Sequence, residues 1–204
     1  MGHLPGLASP PRRRPANVCG DCADPSCFQH LPSGTRKLSR WCADTCAQAK
    51  LVFLPSPNNP TGTILPNAVA ETILQEDTIL VSDEAYADFC DVTALDLFQK
   101  YDNLIVCRTF SKWAGLAGLR LGYGIAHADL ISVMMGIKQP YNVNTAAEIA
   151  GLAALKHRDE ILVTVNALRA EKDRMWTRIN EELSWLKPVP SDANFVLNEV
   201  VGGA

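Results

Sequence analysis

The sequence has no hydrophobic run that approaches the ~20 residues a helix needs to cross a bilayer. It has no excess of basic residues either. The formal net charge is -3 over 204 residues, whereas nucleic-acid-binding domains usually carry a basic face. No Gly-x-Gly-x-x-Gly motif follows a predicted strand, which argues against a dinucleotide-binding dehydrogenase. We therefore expect a globular protein that binds neither membranes nor nucleic acids.

The cysteines do not fit a complete disulfide framework, because their number, seven, is odd. Two of them, Cys90 and Cys107, stand in apolar stretches. We predict that these two are buried thiols of a protein from a reducing compartment.

Residues 1–48 differ from the rest of the chain, since they hold six of the 13 prolines and five of the seven cysteines and show no periodicity. Three interpretations are open. The Arg12-Arg13-Arg14 run in an acid-free start suggests a targeting segment. Aperiodic, proline-rich sequence is also typical of disordered or misassigned sequence. The third interpretation is a zinc site, formed by Cys19, Cys22, Cys27, Cys42 and Cys46.

From residue 49 onward the pattern is that of an α/β protein. Short apolar runs bounded by turn residues predict strands, at 50–54, 78–82, 103–108, 121–126 and 194–197. Apolar positions at helical spacing predict helices, at 66–76, 129–138, 144–156 and 158–183. Continuous apolar strands alternating with helices indicate a mainly parallel sheet with helices on both faces.

Three of the predicted strands are followed by polar clusters: Asn58-Asn59, Asp83 with Tyr86, and Thr109-Phe110-Ser111-Lys112. Ligands of open α/β sheets bind beyond the carboxyl ends of the strands. We therefore expect these clusters to meet in one crevice, with Arg120 slightly later in the chain.

Four of these side chains match the groups that the ring and the aldehyde of pyridoxal phosphate require. Its aldehyde needs a lysine amine, which Lys112 offers. Its pyridine nitrogen needs a carboxylate such as Asp83 to stay protonated. Its phenolic oxygen needs hydrogen-bond donors, and Asn59 and Tyr86 are of the right type.

The phosphate of the same cofactor needs hydroxyls and a guanidinium, which Thr109, Ser111 and Arg120 offer. Each of these residues alone is typical of a surface turn, a cap or a salt bridge. Their joint occurrence at strand ends favours a pyridoxal-phosphate site.

These motifs resemble those of class I/II aminotransferases of the aspartate aminotransferase fold, and within them those of plant and algal histidinol-phosphate aminotransferases. The resemblance extends over about residues 49–200. Its motifs are Asn58-Asn59-Pro60-Thr61-Gly62, Asp83-Glu84-Ala85-Tyr86, Arg108-Thr109-Phe110-Ser111-Lys112, Gly118-Leu119-Arg120 and Gln139-Pro140-Tyr141-Asn142-Val143-Asn144.

The resemblance implies roles for the cofactor residues. Lys112 is similar to the Schiff-base lysine, which is also the general base and acid, and Asp83 is similar to the partner of the pyridinium. Asn59 and Tyr86 match the ligands of the phenolic oxygen. The phosphate ligands are matched by Thr109, Ser111 and Arg120.

The implied reaction transfers an amine from histidinol phosphate to 2-oxoglutarate, giving glutamate, in histidine biosynthesis. The family also implies a homodimer, and a plastid location if the source is a plant or alga, otherwise the cytoplasm. Another pyridoxal-phosphate enzyme, such as a phosphothreonine-type decarboxylase, is an alternative. So is a non-catalytic remnant of the fold.

The resemblance further implies three segments. Residues 1–48 are non-homologous, 49–157 form a partial pyridoxal-phosphate-binding large domain, and 158–204 form a connecting helix and the start of a small α+β domain. The family's glycine-rich phosphate turn, ring-stacking aromatic and substrate arginine have no counterpart in the sequence. We therefore expect the 204-residue chain alone to be a poor or inactive enzyme.

Overall fold

A computed structural model of the chain describes residues 49–202. A four-stranded sheet with the order β1-β2-β3-β4 lies at its centre. The first three strands are parallel, and β4 runs antiparallel to β3. This confirms the expected mainly parallel sheet. The strands are β1 (Leu51–Pro55), β2 (Ile79–Asp83), β3 (Leu104–Thr109) and β4 (Gly122–Ala126).

One face of the sheet carries the larger apolar core. Alternate side chains of a strand point to the same face, so Val52 and Leu54 of β1 are buried while Phe53 between them is exposed. Helix α1 (Asn67–Leu74) covers this face and contributes Val69, Ala70, Ile73 and Leu74 to the core. Strands β2 and β3 contribute Leu80, Leu104 and Val106.

Three further helices follow the sheet: α2 (Ala128–Ile137), α3 (Thr145–Lys156) and α4 (Arg158–Glu182). Asn144 begins α3 as an N-cap, because its Oδ1 accepts a 2.9 Å hydrogen bond from the N–H of Ala147. The single long helix predicted over 158–183 is confirmed by α4.

A second apolar cluster connects the strand ends to these helices. It contains Phe89, Phe110 and Trp113 from the loops after β2 and β3, with Ala154 of α3 and Val165 of α4. Tyr86 packs against this cluster, and Phe110 and Trp113 stand on either side of Lys112 in the chain. The cluster therefore anchors the loops after β2 and β3, which carry most of the predicted site residues.

The predicted strand over 194–197 is wrong. The last strands are β5 (Leu186–Pro188) and β6 (Asn198–Val200), which pair antiparallel in a separate sheet. Residues 191–195 make tertiary contacts instead, and one of these is a hydrogen bond from the N–H of Asp192 to the carbonyl of Gly62 at 2.8 Å. Within the predicted span itself, the ring of Phe195 packs against Tyr86, a residue far away along the chain.

Cys90 and Cys107 are free thiols, and they are half-buried rather than fully buried as predicted. The cysteines of the zinc hypothesis lie outside the described residues. Within 49–202, no three His, Cys, Asp or Glu side chains come together as a metal site. None of the helices in that range combines the length and apolar character needed to cross a membrane.

Candidate active site

The carboxyl ends of β1, β2 and β3 lie side by side at one edge of the sheet. Pro55 is in register with Asp83, and Asp83 is in register with Cys107. The three loops that carry the predicted site residues therefore leave the sheet at neighbouring points. Parallel strand ends meet at one edge, as expected for an open α/β sheet.

Asn59, Tyr86 and Lys112 come together, although each belongs to a different loop. The side-chain amide of Asn59 donates a 3.2 Å hydrogen bond to the hydroxyl of Tyr86. The Nζ of Lys112 lies 5.1 Å from the centroid of the Tyr86 ring. This distance is within the range of a cation–π contact. Tyr86 is thus the common neighbour of the amide and the amine.

Thr109 and Ser111 form a second group. The Oγ1 of Thr109 lies 2.9 Å from the Oγ of Ser111 and accepts a 3.0 Å hydrogen bond from the Ser111 N–H. The same oxygen lies 3.1 Å from the carbonyl oxygen of Leu121 in the segment before β4. The two hydroxyls are therefore held next to each other at the end of β3.

Asp83 and Arg120 are less tightly connected. The exposed carboxylate of Asp83 accepts a 3.1 Å hydrogen bond from the N–H of Ala85. Arg120 has a left-handed backbone with φ 56°, and its Nη1 donates to the carbonyl of Ala117 at 3.0 Å. Within residues 49–202, no hydrogen bond links either side chain to the other predicted site residues.

A buried ion pair lies next to the site, and neither of its members was among the predicted site residues. The Glu84 side chain is 1% exposed, and it accepts hydrogen bonds from Arg108 Nη2 at 2.7 Å and from Arg108 Nε at 3.1 Å. The hydroxyl of Thr93 and the N–H of Ala94 also donate to this carboxylate, at 2.8 and 2.6 Å. Glu84 follows Asp83, and Arg108 precedes Thr109. The pair therefore joins the ends of β2 and β3 where the site residues begin.

The sequence offered little signal for this pair, because Asp83-Glu84 after a strand is also typical of a cap or a solvated turn. The partner Arg108 is 24 residues away along the chain. Only the parallel pairing of β2 with β3 brings the two residues together.

Burial alters the acid–base properties of the groups around the site. It raises the pKa of the Cys107 thiol, and the nearby negative charge of Asp83 raises this pKa further. Burial likewise raises the pKa of the Cys90 thiol and that of the Asp88 carboxyl. The two thiols are thereby kept in their neutral form, which is a poor nucleophile.

The family model for aminotransferase class I and II matches residues 34–204. The chain belongs to this family. The match begins within the first 48 residues, upstream of the segment in which the motifs were found.

Curated relatives agree with this family. A histidinol-phosphate aminotransferase of Roseiflexus castenholzii is 49% identical over 155 residues, which are 76% of this chain and 42% of the relative. The chloroplastic histidinol-phosphate aminotransferase 1 of Arabidopsis thaliana is 44% identical over 155 residues, 76% of this chain and 37% of the relative. The chain spans less than half the length of these relatives.

Solved structures of similar proteins share the fold. The histidinol-phosphate aminotransferase of Sinorhizobium meliloti, in complex with pyridoxal-5'-phosphate, matches with a TM-score of 0.69 and 28% identity, over 81% of this chain and 46% of that one. The L-threonine-O-3-phosphate decarboxylase of Porphyromonas gingivalis matches with a TM-score of 0.67 and 26% identity, over 76% of this chain and 49% of that one. The fold is therefore the aspartate aminotransferase-like fold of pyridoxal-phosphate enzymes.

Proposed function

We propose that this aminotransferase-family chain carries the cofactor-binding side of a pyridoxal-phosphate-dependent transaminase site. The observation that carries the proposal is the meeting of Asn59, Tyr86 and Lys112 from three separate loops, with the Asn59–Tyr86 hydrogen bond at 3.2 Å. An amide, a phenol and an amine in contact at the carboxyl edge of the sheet are a donor set that fits this cofactor.

In this proposal different side chains bind different atoms of the cofactor ring. Asp83 supplies the carboxylate for the pyridinium, and Asn59 and Tyr86 supply hydrogen bonds to the phenolic oxygen. When bound, pyridoxal phosphate supplies an electron-withdrawing ring that stabilises negative charge on the substrate carbon. Lys112 would hold the cofactor through its aldehyde, and its free amine would carry a proton to and from the substrate carbon.

In this proposal the second group of residues binds the phosphate of the cofactor. The paired hydroxyls of Thr109 and Ser111 are held 2.9 Å apart, a spacing that lets both reach one phosphate. Arg120 offers the guanidinium, whose fork binds two oxygens. The positive charge of this arginine also offsets the charge of the phosphate.

We propose histidinol phosphate as the amino donor and 2-oxoglutarate as the acceptor. The support is the name shared by relatives at 49% and 44% identity. Decarboxylation of a phosphothreonine-like substrate is the second candidate, since the decarboxylase of Porphyromonas gingivalis shares the fold. Its identity of 26% is the lower, which favours the aminotransferase.

The first test of this function is capture of the cofactor by Lys112. The 204-residue chain is mixed with pyridoxal phosphate, the absorbance of the mixture is recorded, and borohydride treatment with peptide mass spectrometry locates the labelled lysine. We expect a new band near the visible edge and a label on Lys112, both lost in Lys112→Ala. The exposed Lys138 gives the control, and Lys138→Ala should keep both. Equal labelling of many lysines would contradict the proposal.

A second measurement separates the candidate activities. The chain is supplied with histidinol phosphate and 2-oxoglutarate, or with threonine phosphate, and the release of glutamate or of carbon dioxide is followed. Glutamate supports the transaminase, and carbon dioxide supports the decarboxylase. Capture of the cofactor without either product agrees with the expectation that the 204-residue chain alone is a poor or inactive enzyme.

The proposal also includes the organisation of the protein. We propose residues 49–157 as part of the cofactor-binding domain, 158–204 as a connecting helix with the start of a small domain, and a homodimer as the assembly. Light scattering of the chain with cofactor checks the assembly.

Because plant relatives are named chloroplastic, we propose a plastid location if the source is a plant or alga. A fluorescent protein fused behind residues 1–48 tests it.

A further inference from the structure

Residues 191–195, which we call the 191–195 segment, lie against the turn that carries Asn59. The N–H of Asp192 donates to the carbonyl of Gly62 at 2.8 Å. A Cβ added to Gly62 would lie 2.9 Å from the Cα of Ser191. The two backbones are thus so close that residue 62 has no room for a side chain.

Helix α4 holds the same segment from the other side. The Nζ of Lys172 donates a 2.6 Å hydrogen bond to the carbonyl of Ser191. The Lys172 side chain is only 13% exposed, so this bond is largely shielded from water. The 191–195 segment is therefore fixed between α4 and the Asn59 turn.

The segment ends at Phe195, whose ring contacts Tyr86. The ring centroids are 5.2 Å apart and the planes are at 86°, an edge-to-face arrangement. Such pairs are directional, because the positive edge of one ring meets the negative face of the other. Tyr86 thus has Asn59 at its hydroxyl, Lys112 near its ring and Phe195 packed against it.

We infer that Phe195 is a positioning residue of the cofactor site, which acts by holding the Tyr86 ring. The inference rests on the proposed function. Without the Phe195 ring, Tyr86 keeps its packing against the second apolar cluster but loses its edge-to-face neighbour. This lets its hydroxyl shift away from Asn59 and its ring away from Lys112. Phe195 comes from the chain after α4, so that part of the protein sets the geometry of the large-domain site.

The test measures the dissociation constant of pyridoxal phosphate for the 204-residue chain by absorbance titration. We expect Phe195→Leu to weaken binding about fivefold, the size of a typical aromatic pair contribution. Phe195→Tyr keeps the ring and should bind as the unsubstituted chain does. The neighbouring half-buried Val196 provides the matched control, and Val196→Ala should leave the constant unchanged.

A double-mutant cycle separates positioning from general support of the fold. In a Tyr86→Leu background, Phe195→Leu should have no further effect on the dissociation constant, because the ring that it positions is gone. Circular dichroism verifies that each variant is folded. If Phe195→Leu does not fold, Phe195→Met takes its place in the same cycle.

Two outcomes would overturn the inference alone. One is cofactor binding that Phe195→Leu leaves unchanged, and the other is an equal loss of binding in both backgrounds. Failure of the unsubstituted chain to bind the cofactor would overturn the proposed function, and the inference with it.

Discussion

At the scale of single residues, the carboxylate of Glu84 is a buried charge that depends on its hydrogen-bond partners. It is 1% exposed and is satisfied by Arg108, Thr93 and the backbone of Ala94. A buried charge is tolerated only when it is paired and hydrogen-bonded. The network thus stiffens the ends of β2 and β3, from which Asp83 and Thr109 extend.

We predict that Glu84→Gln lowers the free energy of unfolding by about 3 kcal/mol, because it leaves Arg108 in the protein interior without its hydrogen-bonded counter-charge. Urea unfolding followed by circular dichroism measures the change. Glu171→Gln is the control, since it removes a carboxylate that pairs with Arg174 at the surface, and it should not move the midpoint. Equal effects of the two substitutions would show that the Glu84 pair has no special role.

At the scale of elements, the Asn58–Gly62 turn connects the first strand to the rest of the site. Gly62 has a positive φ of 74°, and Ser191 lies against it. Gly115 has a similar φ of 68°, but a Cβ there would meet nothing within 4 Å. Alanine substitutions at the two glycines therefore separate the cost of backbone strain, which both share, from the cost of steric overlap, which only Gly62 has.

Gly115→Ala should lower the free energy of unfolding by about 1 kcal/mol, the cost of a left-handed conformation for a residue with a Cβ. Gly62→Ala should cost about 2 kcal/mol more, because the 191–195 segment must also move. Both values come from denaturant unfolding curves. If the two variants were equally stable, the close approach of Ser191 would be without consequence.

At the scale of the whole molecule, apolar side chains remain exposed on the described part of the chain. On β1, the edge strand of the sheet within residues 49–202, Phe53 is 54% exposed and Leu51 is 38% exposed. An edge strand with apolar side chains favours pairing with other chains. This face is thus where we expect self-association of the 204-residue chain to begin.

We predict that Phe53→Lys decreases self-association, because it places a charge on the apolar edge strand. Static light scattering over a concentration series measures the change in average mass. Gln99→Lys adds the same charge at another exposed position and serves as the control. A decrease of equal size in both variants would point to net charge rather than to the edge strand.

The strands and helices of the described chain were largely predictable, because they are set by local patterns. Short apolar runs gave β1 to β4 to within about two residues of their ends, and apolar spacing with an Asn cap gave α3 and α4. The strand predicted over 194–197 failed for a non-local reason. Phe195 within it packs against Tyr86, a residue far away along the chain, and no pattern within the segment itself records this.

The sequence by itself determined the family and the chemical groups that the candidate site can offer, since motifs and side-chain types are local properties. The tertiary structure decided which of these groups meet. It brought Asn59 and Lys112 to Tyr86 but left Asp83 and Arg120 without hydrogen bonds to the other predicted site residues. It also decided that Glu84 pairs with Arg108 and that Phe195 packs on Tyr86. The reason is physical, because such contacts depend on strand pairing and chain crossing between residues far apart in sequence.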